Sequence, residues 1–278
     1  MLIIELIKSL LYGIVEGITE WLPVSSTGHL ILLGELVPMK VSDGFSEMYD
    51  VVIQLGAILA VIVLFFRKLN PFSPAKTPIE KKGTWSLWGK VCVAVIPSAV
   101  IGMLLDDWLD EHLYNYITVA VTLIIYGILF ILIEKLRPSN KAAIQTVEGI
   151  SYKSAFLMGA FQMLALIPGT SRSGSTILGG MLLGLSRGAA AEFSFFMAIP
   201  TMLGASLLKV VKLALDGVAL TGTEWGILAV GCVSAFAVSL CAIKFLMDFV
   251  KKHSFSAFGV YRIILGALVL GYFMVFGR

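Results

Sequence analysis

Apolar residues run along this chain in blocks of helical-span length, with the polar residues gathered between them. The blocks at 48–66, 86–105, 115–133, 189–211, 224–247 and 256–276 each approach the ~20 residues that an α-helix needs to cross the hydrocarbon of a bilayer. They predict six transmembrane helices. Four further apolar blocks differ. Residues 2–22 carry Glu5, Lys8, Glu16 and Glu20, too many charges for a lipid-exposed span. The blocks at 26–38, 153–167 and 173–185 are too short to cross. The four fall into two pairs, interrupted at Pro23 and Pro168, where proline disfavours helix in the residue before it. Each pair predicts a helix that stops, turns and restarts, a re-entrant helix-loop-helix hairpin. The fold class is therefore an all-α polytopic membrane protein.

The polar segments set the orientation. Loops 67–90, 134–153 and 249–255 collect Arg67, Lys68, Lys76, Lys81, Lys82, Lys90, Lys135, Arg137, Lys141, Lys153, Lys251 and Lys252, whereas 106–111 holds Asp106, Asp107, Asp110 and Glu111. The positive-inside rule places the basic loops in the cytoplasm and the acidic one outside. Lys209 and Lys212, near the outer end of their span, count against it. The two hairpins then enter from opposite sides. This predicts one membrane domain over 1–278, built from inverted repeats about 1–133 and 150–278. Internal similarity supports the repeat: Glu16 to Gly28 resembles Gln162 to Gly174, Asp50-Val51-Val52 matches Glu192-Phe193-Ser194, and Trp88-Gly89 matches Trp225-Gly226. Non-helical backbone at membrane depth is tolerated only inside protein or around a water-filled cavity. The two breaks should therefore face each other across a polar pocket.

Composition agrees. Of 278 residues, 58% are hydrophobic and 14% charged, against about 25% charged in soluble domains. The net charge of +3 says nothing about nucleic acid. No secretory leader is expected from the N-terminal Met1-Leu2-Ile3-Ile4-Glu5. Cys92, Cys232 and Cys241 lie in apolar runs without metal-ligand spacing, and read as packing or lipid-facing residues.

Candidate chemistry lies at the two breaks. Glu16 and Glu20 share one helical face, where like charges repel unless a proton, a metal ion or an arginine lies between them. Arg172, with the hydroxyls of Thr170, Ser171, Ser173, Ser175 and Thr176, suits an oxyanion such as phosphate. One cation for two carboxylates leaves negative charge, and a divalent ion on Glu16 and Glu20 would reverse it. Taken alone, His29 reads as a satisfied core histidine; beside hydroxyls and a carboxylate it is a candidate base or nucleophile. Ser25, Ser26 and Thr27 read first as helix caps, and with Ser171, Ser173, Gly174 and Thr176 as phosphate donors, at most one of them a nucleophile. Asp50 and Glu192 are candidate counter-charges, and Gln54 a candidate interhelical hydrogen bond.

Together the stretches Glu-Gly-Ile-Thr-Glu-Trp-Leu-Pro-Val-Ser-Ser-Thr-Gly-His at 16–29 and Pro-Gly-Thr-Ser-Arg-Ser-Gly at 168–174 resemble the signature motifs of the undecaprenyl-pyrophosphate phosphatase, or bacitracin-resistance, family. The resemblance covers nearly the whole chain, with no departure at the motif positions. It implies removal of one phosphate from the polyprenyl pyrophosphate lipid, recycling the carrier for peptidoglycan synthesis and conferring bacitracin resistance. It also implies activation by a divalent cation (Mg2+ or Ca2+) and a site in the bacterial inner membrane opening to the periplasm. It marks Glu16, Glu20, Ser26, His29, Ser171, Arg172, Ser173 and Thr176. The mechanism expected on these residues has Arg172 hold the phosphate, Glu16 and Glu20 hold the metal or orient His29, and Ser26 attack with His29 as base. The rival expectation makes His29 the nucleophile. A lipid-phosphate transporter with the same anion pocket is the alternative from another class, and the many small residues are compatible with a homodimer.

Overall fold

A computed structural model describes residues 2–136 and 142–276. Among these the chain is all-helical, without strands. Six segments are long and apolar enough to cross a membrane: Gly44–Leu64, Pro78–Leu105, Tyr116–Leu136, Arg187–Leu215, Gly222–Lys252 and Ser256–Phe276. The six expected spans are all present, and their outer faces carry the exposed leucines, isoleucines and valines that suit lipid. Arg137 and Lys141 of the basic loop lie outside the described residues, as do the side chains of Asp106, Asp107 and Asp110.

In chain order, α1 (Leu2–Thr19) and α2 (Ser26–Leu36) flank the first break. The first span is two helices, α3 (Asp43–Val52) and α4 (Gln54–Leu64), followed by a single turn, α5 (Phe66–Leu69). Next come α6 (Pro78–Leu113) and α7 (Tyr116–Leu136). After these, α8 (Tyr152–Met163) and α9 (Arg172–Leu182) flank the second break, and α10 (Arg187–Leu215), α11 (Gly222–Lys252) and α12 (Ser256–Phe276) complete the chain. At about 1.5 Å per residue, α2 and α9 are each roughly 16 Å long, about half the hydrocarbon thickness.

The expected loops on either side of 86–105 are partly helical. α6 starts at Pro78 because Thr77 caps it: the Thr77 hydroxyl accepts from Glu80 N–H while the Glu80 carboxylate accepts from Thr77 N–H. That reciprocal pattern with proline in the first turn is a strong start signal. The helix also passes through Pro97 and continues across 106–111, so the acidic segment is the end of a helix and not a loop.

Small residues set the closest approaches. α8 packs on α6 so tightly that a Cβ on Gly159 would collide with the Ala94 carbonyl, and α1 meets α11 in the same way at Gly13 and Gly231. Backbone cannot yield as a flexible side chain can. Gly159→Ala is expected to destabilise the protein by about 1–3 kcal/mol, read as a lower midpoint of thermal unfolding in detergent.

Candidate functional site

The two breaks meet at the centre of the molecule, and each is built the same way. Ser25 and Ser171 both have φ of 74°, and they are the non-glycine residues with positive φ among those described. Such a backbone costs about 1–3 kcal/mol and persists only where the surroundings enforce it. Each serine caps the helix that follows: Ser25 Oγ accepts from Gly28 N–H at 3.3 Å, and Ser171 Oγ accepts from Gly174 N–H at 3.1 Å. The preceding N–H groups, of Ser26 and Thr27 in α2 and of Arg172 and Ser173 in α9, have no intrahelical acceptor, as at the start of any α-helix. Two positive helix ends therefore converge, an arrangement suited to anions.

A cavity of about 610 Å³ opens at this point. Its polar end is lined by Glu20, Ser26, Thr27, Ser171 and Arg172, with Gln54, Ser98, Gln162 and Thr201 beside them. Its other wall is apolar, formed by Val95, Ala99 and Met103 of α6 and by Met202, Leu207, Leu208 and Val211 of α10. A charged head and an apolar tail fit this shape.

At the polar end, Ser26 Oγ donates to Glu20 Oε2 at 2.8 Å. The other oxygen of Glu20 accepts from Arg172 Nε at 3.2 Å and Nη2 at 3.0 Å. Arg172 Nη1 donates to the Ser194 carbonyl at 2.8 Å and to Ser194 Oγ at 3.3 Å. The guanidinium also lies over the ring of Trp21, 5.6 Å from its centroid, and Trp21 is fully buried against Phe195. Glu20 and Ser26 of the first break and Arg172 of the second thus form one contact chain.

His29 stands elsewhere. Its Nδ1 lies 2.7 Å from the Ser25 carbonyl, so this nitrogen carries the proton, and its Nε2 then accepts from the Tyr261 hydroxyl at 2.7 Å. The Tyr261 ring is stacked on it. Both nitrogens are engaged away from Ser26, and the group at Ser26 Oγ is Glu20 where His29 was expected. Four expected phosphate donors are also occupied within the protein. Ser25 caps α2, and the Gly174 N–H goes to Ser171. Ser173 Oγ donates to the carbonyls of Glu20 and Leu22, joining one break to the other. Thr176 Oγ1 bonds to the Arg172 carbonyl and to Ser194 Oγ. A hydroxyl beside uncapped backbone is drawn to that backbone first.

Glu16 is fully buried, and neither of its carboxylate oxygens has a hydrogen-bond partner. Glu20 follows one turn later, its N–H donating to the Glu16 carbonyl at 3.0 Å. An orphaned carboxylate beside a second one fits a divalent ion. Among the described residues, however, no three His, Cys, Asp or Glu side chains converge as a metal cluster. Two carboxylates alone would leave most of an ion's coordination to water or substrate oxygens. Gln54 faces the cavity. Glu192 is not part of the site: it pairs with Lys68 at 2.9 Å, and Lys68 also holds Glu148 at 2.9 Å. Burial draws the Lys68 ammonium down, but these carboxylates outweigh it and hold it above its ordinary value.

Sequence reasoning passed over Arg262. It was part of an apolar span, yet its side chain is fully buried and donates to Pro23, Gly169 and Thr170 carbonyls. A charge in the middle of an apolar block was the available signal.

The model of the bacitracin resistance protein BacA family matches residues 9–268. This chain belongs to the BacA family. A relative from Acetivibrio thermocellus, named undecaprenyl-diphosphatase, is 59% identical over 271 residues, covering 98% of both chains. Relatives of the same name from Lactiplantibacillus plantarum and Enterococcus faecalis are each 55% identical, over 97% and 99% of this chain and 98% and 99% of their own. Both breaks lie inside the matched region.

Proposed function

We propose that this chain is an integral-membrane undecaprenyl-diphosphatase, which hydrolyses undecaprenyl pyrophosphate to undecaprenyl phosphate and orthophosphate and so recycles the lipid carrier. The observation that carries the reading is the Ser26–Glu20–Arg172 contact chain at two converging helix N-termini, in a cavity with an apolar wall. A pure transporter needs the cation and the helix ends but gains nothing from a hydroxyl hydrogen-bonded to a carboxylate.

Arg172 and the free N–H groups of α2 and α9 bind the terminal phosphate and the charge that grows on its oxygens. Ser26 Oγ attacks phosphorus and gives its proton to Glu20 Oε2; the lipid phosphate leaves. Glu20 passes that proton to the departing lipid phosphate; ionised again, it takes a proton from the water that attacks the phosphoserine and returns it to Ser26 Oγ as the phosphorus–oxygen bond breaks and orthophosphate leaves. Glu16 and Glu20 would hold the divalent ion, which when bound supplies charge neutralisation at the phosphate oxygens.

The rival version, with His29 as nucleophile, is separated by trapping. Protein quenched during turnover of radiolabelled substrate is expected to hold an acid-stable phosphate lost in Ser26→Ala; an acid-labile adduct that survives in Ser26→Ala assigns the step to His29. Orthophosphate release is expected to fall to background in EDTA and return with Mg2+ or Ca2+. Release that persists in EDTA removes the ion from the reading and leaves the residue chemistry in place.

The same reading takes the two halves as inverted repeats with re-entrant hairpins. Several correspondences support it. α1 and α8 are each followed by a break and an 11-residue helix, α2 and α9. Ser25 and Ser171 share one unusual backbone angle. Thr77 with Glu80 and Thr221 with Glu224 form matching capping boxes at α6 and α11. The cavity is walled by the later halves of α6 and α10, away from the basic residues Lys68, Lys81 and Lys82. On this reading the positive-inside rule makes that the periplasmic side of a bacterial inner membrane, with Lys209 and Lys212 of α10 as the exceptions.

A further inference from the structure

We propose that Arg262 is a positioning residue that holds the two breaks in register, so that Ser26 and Glu20 on one meet Arg172 on the other. The proposal rests on the phosphatase reading above. Arg262 is on α12, fully buried and outside the lining of the cavity. Its Nη1 donates to the Pro23 carbonyl at 3.2 Å in the first break. Its Nη2 donates to the Gly169 carbonyl at 2.8 Å and the Thr170 carbonyl at 2.9 Å in the second.

These acceptors are the carbonyls a broken helix sets free. Buried within a membrane protein, each needs a donor. Several neutral side chains could satisfy them one at a time, as Thr122 Oγ1 does for Pro168 at 2.7 Å. The planar, forked guanidinium serves both breaks at once and fixes their separation. A buried charge is costly unless paired, and among the described residues no carboxylate pairs with Arg262. Its compensation is the three carbonyls and the Tyr126 ring, 5.6 Å from the guanidinium carbon to the centroid. Its Nε is buried without a partner, so the cation is held here by its two terminal nitrogens, which serve acceptors on both breaks. The neighbouring Tyr261 holds His29, so one turn of α12 braces the first turn of α2 as well.

The test uses the full chain in detergent, comparing wild type, Arg262→Met and Arg262→Lys. Amide hydrogen exchange is read without substrate at segments 20–28 and 167–175, and kcat and KM are read from orthophosphate release. In Arg262→Met, exchange is expected to rise roughly tenfold in both segments together. Its kcat is expected to fall on the order of 10²-fold, as for a small misplacement of reacting groups, with KM changed only a few-fold because Arg172 still binds phosphate. The single ammonium of Arg262→Lys reaches one break, so one segment stays protected and kcat lies between the other two. Should Arg262→Met fail to fold, Arg262→Lys carries the comparison alone: wild-type protection at both segments with wild-type kcat overturns the proposal. Exchange that rises only in α7 and α12 also overturns it, leaving Arg262 a packing residue. A wild type that releases no orthophosphate sinks the phosphatase reading but leaves the exchange result standing.

Discussion

Arg172→Ala is expected to reduce kcat/KM for orthophosphate release by on the order of 10³-fold or more, since one preorganised donor to a developing anion is worth about 10²–10³. Two effects compound here. The guanidinium is the cation at the meeting point of α2 and α9, held by Ser194 and the face of Trp21. Its removal also leaves Glu20, 5% exposed, as a buried carboxylate without its partner, which weakens the orientation of Ser26. Arg172→Lys should recover little, because a single ammonium cannot donate to Glu20 and Ser194 together while facing a phosphate. Initial rates on a polyprenyl pyrophosphate, with folding checked by size-exclusion profile, provide the measurement. A lysine variant with near-wild-type rate would show that charge alone suffices and that the fork geometry is irrelevant.

Glu20→Gln and Ser26→Ala should each lower kcat by about 10²–10⁴, the range for loss of a positioned base in proton transfer. The sharper expectation concerns the double variant. Glu20 Oε2 and Ser26 Oγ are 2.8 Å apart and act as one unit, so removing both should cost little more than removing either. Independent roles would instead multiply the two losses. His29→Gln offers the contrast: its nitrogens are held by Ser25 and Tyr261, so its effect should combine with that of Ser26→Ala multiplicatively if it acts only by bracing α2. A His29→Gln loss that vanishes in the Ser26→Ala background would restore histidine as the base.

How much of this was legible beforehand differs by scale. The six spans were plain from hydropathy, because lipid forces each crossing segment to be long, apolar and helical. The breaks were plain too, since Pro23 and Pro168 followed by hydroxyls inside apolar sequence have no reading as continuous spans. Glu16, Glu20 and Arg172 were visible as charges where charge is expensive. The extent of α6 is readable from Thr77, Pro78 and Glu80, which spell a helix start, but the basic residues after it mark the same stretch as a loop. Arg262 was missed because one charge in a long apolar block looks minor until its partners are known.

The sequence by itself therefore determined the class of protein, the segments that cross, the places where helices break and the residue types gathered there. These follow from local rules, namely hydropathy, helix period, proline and capping chemistry. Only the tertiary structure decided who touches whom. Ser26 could face His29 three residues on or Glu20 six residues back, and sequence spacing permits both. The positive φ at Ser25 turns Ser26 toward Glu20, while Tyr261, from the far end of the chain, draws His29 away. Likewise Arg172 reaches Glu20 where Ser173 and Arg262 also bond from one break to the other. Contacts between residues 92 to 239 positions apart depend on how whole helices pack, and no local pattern encodes that packing.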